Sequence, residues 1–208
     1  MVKQITLAKE KYYRSDLNKK LIVSFNAFFI FFTITNIAFA NLQEDLVNNL
    51  ISTNTLTFSF KQTIAEKEET GDCFIKYPLL MKCNYKNEKK KIIISNGKTV
   101  AIIKKKYKKI YYYPIKTTPL FIILDKHKIL NLIKKNKPTK INSKIIEFEF
   151  IDKKLNKLII FFDKNTLNLK GWKTTDSYSN EVIFLINNLK TNNEIAEDFF
   201  KIPYEKDL

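Results

Sequence analysis

Apolar positions change their period several times along this chain, and each change marks an element. Leu42, Leu46 and Leu50, flanked by Val47 and Ile51, recur at helical spacing in NLQEDLVNNLIST and predict a short amphipathic helix. The period then drops to two. Leu56, Phe58 and Phe60 alternate with Thr57, Ser59 and Lys61, which predicts a strand, and IAEKEETGD after it reads as a polar loop. Five further strands are predicted over about 72–77, 81–86, 91–95, 99–104 and 108–113, with Ser95-Asn96-Gly97-Lys98 as a type I′ hairpin turn. TTPLFIILDKHKILNLIKKN returns to helical spacing and predicts two short helices that start at Thr-Thr-Pro and break near Asp125. Four more strands follow, over about 144–151, 157–163, 167–175 and 181–189. No Pro/Gly/Ser-rich linker divides this run and no internal repeat is visible. The pattern is that of one large antiparallel sheet with a few helices segregated to one side, a mainly β, α+β class. Strands such as KLIIFFD are apolar on both faces, which favours a curved sheet around an enclosed apolar interior.

The segment ahead of the first helix has a different character. Lys19 and Lys20 precede the uncharged run LIVSFNAFFIFFTITNIAFA, which ends in Ala38-Phe39-Ala40. A charged start, an apolar core and A-x-A form a secretory signal, so residues 1–40 are expected to be a signal peptide cleaved after Ala40. An uncleaved anchor is the other reading, since about 20 apolar residues can span a bilayer. Position 41 is Asn, where a bacterial lipoprotein would need cysteine. Residues 41–208 are then expected to form one exported domain in the periplasm, long enough to bury a sizeable core.

The charge changes meaning once that segment is set aside. The full chain carries 37 basic and 21 acidic side chains, +16 in all. Residues 41–208 keep 31 and 19, or +12, and every basic residue among them is lysine, because the single arginine is Arg14. TVAIIKKKYKKIYYYPI, Thr99–Ile115, sets five lysines among four tyrosines and resembles a nucleic-acid groove with stacking platforms. Lysine lacks the forked donors that read phosphate and guanine bidentately, and an exported protein has little nucleic acid to meet. The tract is therefore expected to be sheet wall, with aromatic and aliphatic side chains on its buried face and lysine outside. A positive exterior of this kind is also attracted to anionic lipid head groups.

Candidate chemistry is sparse. His127 is the one histidine, no cysteine group has zinc spacing, and no glycine-rich loop could cradle a phosphate. The expectation is a binding protein rather than an enzyme, with no cofactor and no metal. Cys73 and Cys83 flank Tyr77-Pro78-Leu79-Leu80, and a hairpin turn there would bring their sulfurs to one face of adjacent strands. They read either as a disulfide or as two small apolar residues in a core wall.

Read in order, these motifs resemble a known family. FSFKQT at Phe58–Thr63, GDCFIKYP at Gly71–Pro78, MKCNY at Met81–Tyr85, IIISNGKTVAII at Ile92–Ile103, YYYPIKTTPLFIIL, LIIFFD, LNLKGWKTTD at Leu167–Asp176 and a closing FFKIP are similar in order and spacing to LolA, the periplasmic lipoprotein carrier. The resemblance implies an unclosed antiparallel β-barrel lidded by short helices, with an apolar cavity for acyl chains. It implies acylated lipoproteins as cargo, an inner-membrane ABC transporter that releases them, and the outer-membrane receptor LolB as acceptor. A monomer that binds no nucleic acid is expected. The other reading is an exported lipid- or glycolipid-binding module, or a lipoprotein sensor, built on the same fold. Carried onto this chain, Tyr77 stands where the family usually has an arginine that holds the lid closed, and Leu50, Ile123 and Leu124 stand at lid positions. Ile75, Met81 and Cys83 share strand parity with Tyr77 and are expected to line the cavity, joined by Phe58 and Phe60; plain core packing is the alternative for each.

Overall fold

A computed structural model describes residues 41–151, 157–176 and 178–208. The expected signal segment, 1–40, lies outside the described residues. The chain divides into two units, residues 1–44 and 45–208. Residues 41–52 are helical (α1), and those from Asp45 onward belong to the second unit, which carries everything below.

The second unit is built on an eleven-stranded antiparallel sheet, counted among the described residues. Its strands are β1 (Thr55–Ile64), β2 (Lys67–Lys76), β3 (Leu80–Tyr85), β4 (Lys91–Asn96), β5 (Thr99–Lys104), β6 (Lys109–Pro114), β7 (Lys140–Ile141), β8 (Ile145–Ile151), β9 (Lys157–Asp163), β10 (Leu169–Thr175) and β11 (Glu181–Thr191). Their order is β6-β5-β4-β3-β2-β1-β11-β10-β9-β8-β7. The chain steps outward hairpin by hairpin from β1 to β6, crosses through two helices, and steps back from β7 until β11 pairs with β1. Strands β6 and β7 are the two free edges, so the sheet is not closed. The helices α2 (Leu120–Ile123) and α3 (Lys126–Lys135) occupy the crossing.

Two local expectations are corrected. The polar stretch after β1 is not a loop: β1 and β2 run through most of it and turn on Ala65 and Glu66, both at positive φ (43° and 67°). Two consecutive left-handed residues make the tight twist that a two-residue hairpin needs, and a charged, alternation-poor sequence hides it. At the β4–β5 turn only Gly97 has positive φ (92°), so the turn is not type I′. Asn96 instead accepts from Lys98 N and Thr99 N through its side chain, at 3.1 and 2.9 Å, an Asx turn. Asp125 breaks the helical stretch where the sequence predicts, because its carboxylate caps α3 by accepting from Lys128 N at 3.3 Å.

Register sorts the apolar side chains onto two faces. Leu56, Phe58 and Phe60 on β1 stand opposite Ile75, Cys73 and Gly71 on β2, which stand opposite Met81, Cys83 and Tyr85 on β3. That inner face continues through Ile186 and Phe184 on β11, Trp172 on β10, Ile160 on β9 and Phe148 on β8. Phe60, Phe184 and Trp172 stack in sequence, with ring centroids 4.7 and 4.1 Å apart. Gly71 makes room for this stack, since a Cβ there would lie 2.6 Å from the Phe60 ring. The outer face of β2–β5 carries Phe74, Lys82, Ile94 and Ala101 in one cross-strand row. It is covered by the C-terminal tail: Phe199 meets Phe74 edge-on at 4.9 Å, and Ile202 and Leu208 pack on Ile94, Ala101, Ile103 and Ile110.

Candidate lipid-binding cavity and its lid

The residues expected at the site fall on two sides of one boundary. Phe58, Phe60, Ile75, Met81 and Cys83 are buried together on the inner face of β1–β3. Cys73 and Cys83 are directly opposed across β2 and β3 and joined by a disulfide, with their Cα atoms 4.1 Å apart. Leu50 on α1 is buried, as are Ile123 and Leu124 on and after α2. Ile51, grouped with the α1 stripe by sequence, is instead 50% exposed.

Polar bonds tie the helical layer to the sheet and its helices to each other, among them one from Asn192 Nδ2, just past β11, to Ser52 O at the end of α1, at 3.0 Å. Leu79 N in the β2–β3 turn donates to Leu124 O at 2.9 Å, and the buried Ser95 hydroxyl donates to Leu79 O at 2.6 Å. Asn49 on α1 donates to Leu167 O and Asn168 Oδ1, at 3.0 and 3.2 Å, in the turn before β10. Lys126, the first residue of α3, donates to Ile51 O and Asn54 Oδ1, both at 3.1 Å. A cation on the last carbonyls of α1 also suits the negative end of that helix. The same Lys126 ammonium lies 5.6 Å from the centre of the Tyr77 ring, and partial burial pulls its pKa below the usual lysine range.

Tyr77 is the exception among these groups. Its ring is buried and its hydroxyl has no hydrogen-bond partner among the described residues. Burial pushes its phenol well above the ordinary tyrosine range, so it stays protonated. A buried hydroxyl left unpaired costs about 1–3 kcal/mol. Near this position, Lys126 joins the start of α3 to the end of α1.

An open cavity of about 710 Å³ lies where α2 and α3 meet the far half of the sheet. Phe121, Ile122 and Leu132 line it from the helices and Phe150 and Leu158 from β8 and β9; Lys116, Lys128, Lys135, Asn131 and Asp176 add polar side chains. Sequence reasoning missed these apolar lining residues. Phe150 was legible as a member of the alternating strand IIEFEFI, whereas Phe121 and Ile122 were hidden in an apolar run with no clear period. The open cavity and the sealed floor under Tyr77 are thus separate parts of one inner face. Among the described residues no three His, Cys, Asp or Glu side chains gather as metal ligands, and no helix is long and apolar enough to cross a membrane.

Residues 51–203 match the family described as "Outer membrane lipoprotein carrier protein LolA". The chain belongs to the LolA family. That match spans β1–β11, both crossing helices and the tail through Ile202. No curated protein matches the chain. Among solved structures, it is similar to an uncharacterized conserved protein from Thermus thermophilus, with 10% identity and a TM-score of 0.48, covering 79% of this chain and 94% of that one. A LolA superfamily protein from Nitrosomonas europaea matches at 6% identity and a TM-score of 0.40, covering 76% and 97%. MucB in the MucA/MucB complex of Pseudomonas aeruginosa matches at 11% identity and a TM-score of 0.45, covering 78% and 62%. In this chain the matched region holds the Cys73–Cys83 disulfide and the Lys126 ammonium beside the Tyr77 ring.

Proposed function

We propose that this protein is a periplasmic carrier that shields the acyl chains of lipoproteins released from the inner membrane and delivers them to the outer membrane. The observation that carries this reading is the inner face: a continuous apolar sheet surface, open at about 710 Å³ on one side and covered on the other by helices that polar bonds through Leu79, Asn49, Lys126 and Asn192 hold. The physics demands such a surface. A triacylated cargo exposes some forty methylenes, at about 0.8 kcal/mol each, or tens of kcal/mol of gross hydrophobic cost in water. A cavity of 710 Å³ lies within the ~300–1,000 Å³ of ordinary ligand sites, so a full load requires the helices to lift and add the Phe58–Met81 floor. Leu50, Ile123 and Leu124 then act as the underside of a lid and Phe58, Phe60, Ile75, Met81 and Cys83 as the floor it uncovers. The chemistry is binding and release, with no catalytic group. An inner-membrane ABC transporter would load the carrier and a LolB-type receptor would unload it. A second reading, a lipid- or glycolipid-binding module, draws on the polar side chains at the cavity, Lys116, Lys128, Lys135 and Asp176, which suit a cargo with a polar head.

Spheroplasts that hold an acylated lipoprotein provide the test. Added protein should bring the lipoprotein into the soluble fraction as a one-to-one complex. Free lipid bound with no lipoprotein released would keep the cavity and discard the carrier role.

A further inference from the structure

The basic, tyrosine-rich tract is sheet wall with buried aliphatic side chains, Val100, Ala101, Ile103 and Ile110 among them, but its tyrosines are not on the buried face that the sequence suggests. Tyr107, Tyr111, Tyr112 and Tyr113 are 52%, 44%, 56% and 43% exposed. The reason is topological: β6 is a free edge, so no further strand covers its rings. The edge is blunted against strand addition, because Ile110 N donates to Glu205 Oε1 at 3.1 Å and Pro114 has no N–H to offer. A peptide strand is thus a poor occupant for this surface.

Charge points to another. Residues 89–124 contain ten lysines and no acidic side chain. Lys105 and Lys106 lie in the 3-10 turn that joins β5 to β6, and Lys108, at φ 49°, follows it. None of Lys105, Lys106, Lys108 and Lys109 forms an ion pair among the described residues. Glu205 brings one negative charge to this hairpin, where it accepts from Ile110 N, and the four lysines outnumber it. Lys82, on the neighbouring outer face, has its pKa lowered by burial and then by Lys105, a mark of crowded positive charge. Exposed tyrosines beside a net excess of unpaired lysines match the two layers of an anionic bilayer surface: amphipathic rings settle at the head-group boundary and each nearby lysine adds about 1 kcal/mol.

We propose that the β5–β6 hairpin is a docking surface for an anionic phospholipid bilayer, with Lys105, Lys106 and Lys108 at head-group phosphates and Tyr107 and Tyr112 among the head groups. The stretch leads directly into Lys116–Pro119, which lines the open cavity, so docking brings that side of the protein to the membrane. The inference rests on the hairpin itself and holds whatever the cavity carries.

Protein purified from cells expressing the full chain is floated with vesicles of phosphatidylcholine alone and of phosphatidylcholine mixed with phosphatidylglycerol. Binding is expected on the mixed vesicles only, weakening as salt rises. Replacing Lys105, Lys106 and Lys108 with Gln should weaken it on the order of a hundred-fold, at about 1 kcal/mol per lysine. Replacing Lys144, Lys164 and Lys190 with Gln removes the same net charge outside the hairpin and should change it little. Uptake of a fluorescent fatty acid should be unchanged in both variants, which separates docking from the cavity. Equal flotation on both vesicle types, or equal loss in both variants, overturns the proposal. So does a hairpin variant that loses binding to a single-stranded oligonucleotide while keeping the vesicles, because the surface would then serve nucleic acid.

Discussion

The sheet of this protein is covered twice, and the two covers are made differently. On the outer face the C-terminal tail satisfies its polar groups as it goes. Thr55 donates to Asn193 O at 2.6 Å, Lys76 to Ile195 O at 3.0 Å and Lys82 to Phe199 O at 3.3 Å, and the Lys82 ammonium also lies 4.2 Å from the Phe199 ring centre. Phe199 and Phe200 meet edge-on at 5.4 Å and anchor the tail. On the inner face the helices rest on equally apolar ground, yet they leave the Tyr77 hydroxyl stranded and depend on a partly exposed lysine. Both covers bury hydrocarbon; only one leaves a polar defect at its seam. Such a defect lowers the cost of lifting the cover, since an exposed hydroxyl regains water. This difference fits the proposed reading, in which the outer cover is permanent core and the inner one a lid.

The largest test of that contrast is Leu50→Asp. A carboxylate placed at this buried position costs several kcal/mol unless the helix moves away. The expected result is an open lid on an intact sheet: more binding of an apolar dye, unchanged far-UV circular dichroism and impaired lipoprotein carriage. Normal carriage by this variant would remove Leu50 from the lid. Phe200→Ala probes the other cover and should cost about 3–5 kcal/mol of global stability, as a buried aromatic lost from a core does. Its carriage per folded molecule should stay normal. If it raised dye binding without lowering the melting temperature, the tail would be a second lid. Next comes the floor itself. Replacing Cys73 and Cys83 together with Ala removes a cross-link that closes a loop of about ten residues, worth about 3 kcal/mol in the chain-entropy account. Thermal unfolding should show that loss, while a protein unfolding at the same temperature as the parent would mean the bond adds nothing to the β2–β3 floor.

The legible and illegible parts of the molecule divide along physical lines. Compact apolar runs bounded by polar residues announce themselves as strands: β5 and β9 run over Thr99–Lys104 and Lys157–Asp163, as their patterns predict. The two-residue β7 has too few positions to show a period. The Cys73–Cys83 alignment follows from a hairpin and was readable as one of two options. The exposure of Tyr111–Tyr113 was not readable, because alternation tells which residues share a face but not whether the sheet continues past the strand. Edge status is a property of the whole topology. The Lys126 tie was hidden for a related reason: it joins α1 to α3 across 75 residues of chain, and no local pattern encodes that meeting.

The smallest change with the clearest sign is Tyr77→Phe. It removes the stranded hydroxyl and keeps the ring under Lys126, so it should stabilise the closed lid by about 1–3 kcal/mol. Carriage should slow while the melting temperature holds or rises, an uncommon pairing for a substitution at a buried site. Alkaline pH gives a second readout. Burial raises the folded Tyr77 pKa, so its contribution is fully present below the unfolded phenol value near ~10 and is lost as pH climbs from there towards the folded value. Tyr85, also buried and held above the ordinary range, donates to Gln62 and contributes the same trend. The Phe variant should therefore lose less stability than the parent above pH ~10, with the Tyr85 share remaining. An identical alkaline profile in both proteins would mean that the Tyr77 hydroxyl reaches water in the folded state. The polar defect that distinguishes the proposed lid from the tail would then be absent, and the ties through Lys126, Asn49 and Leu79 would set how readily the lid lifts.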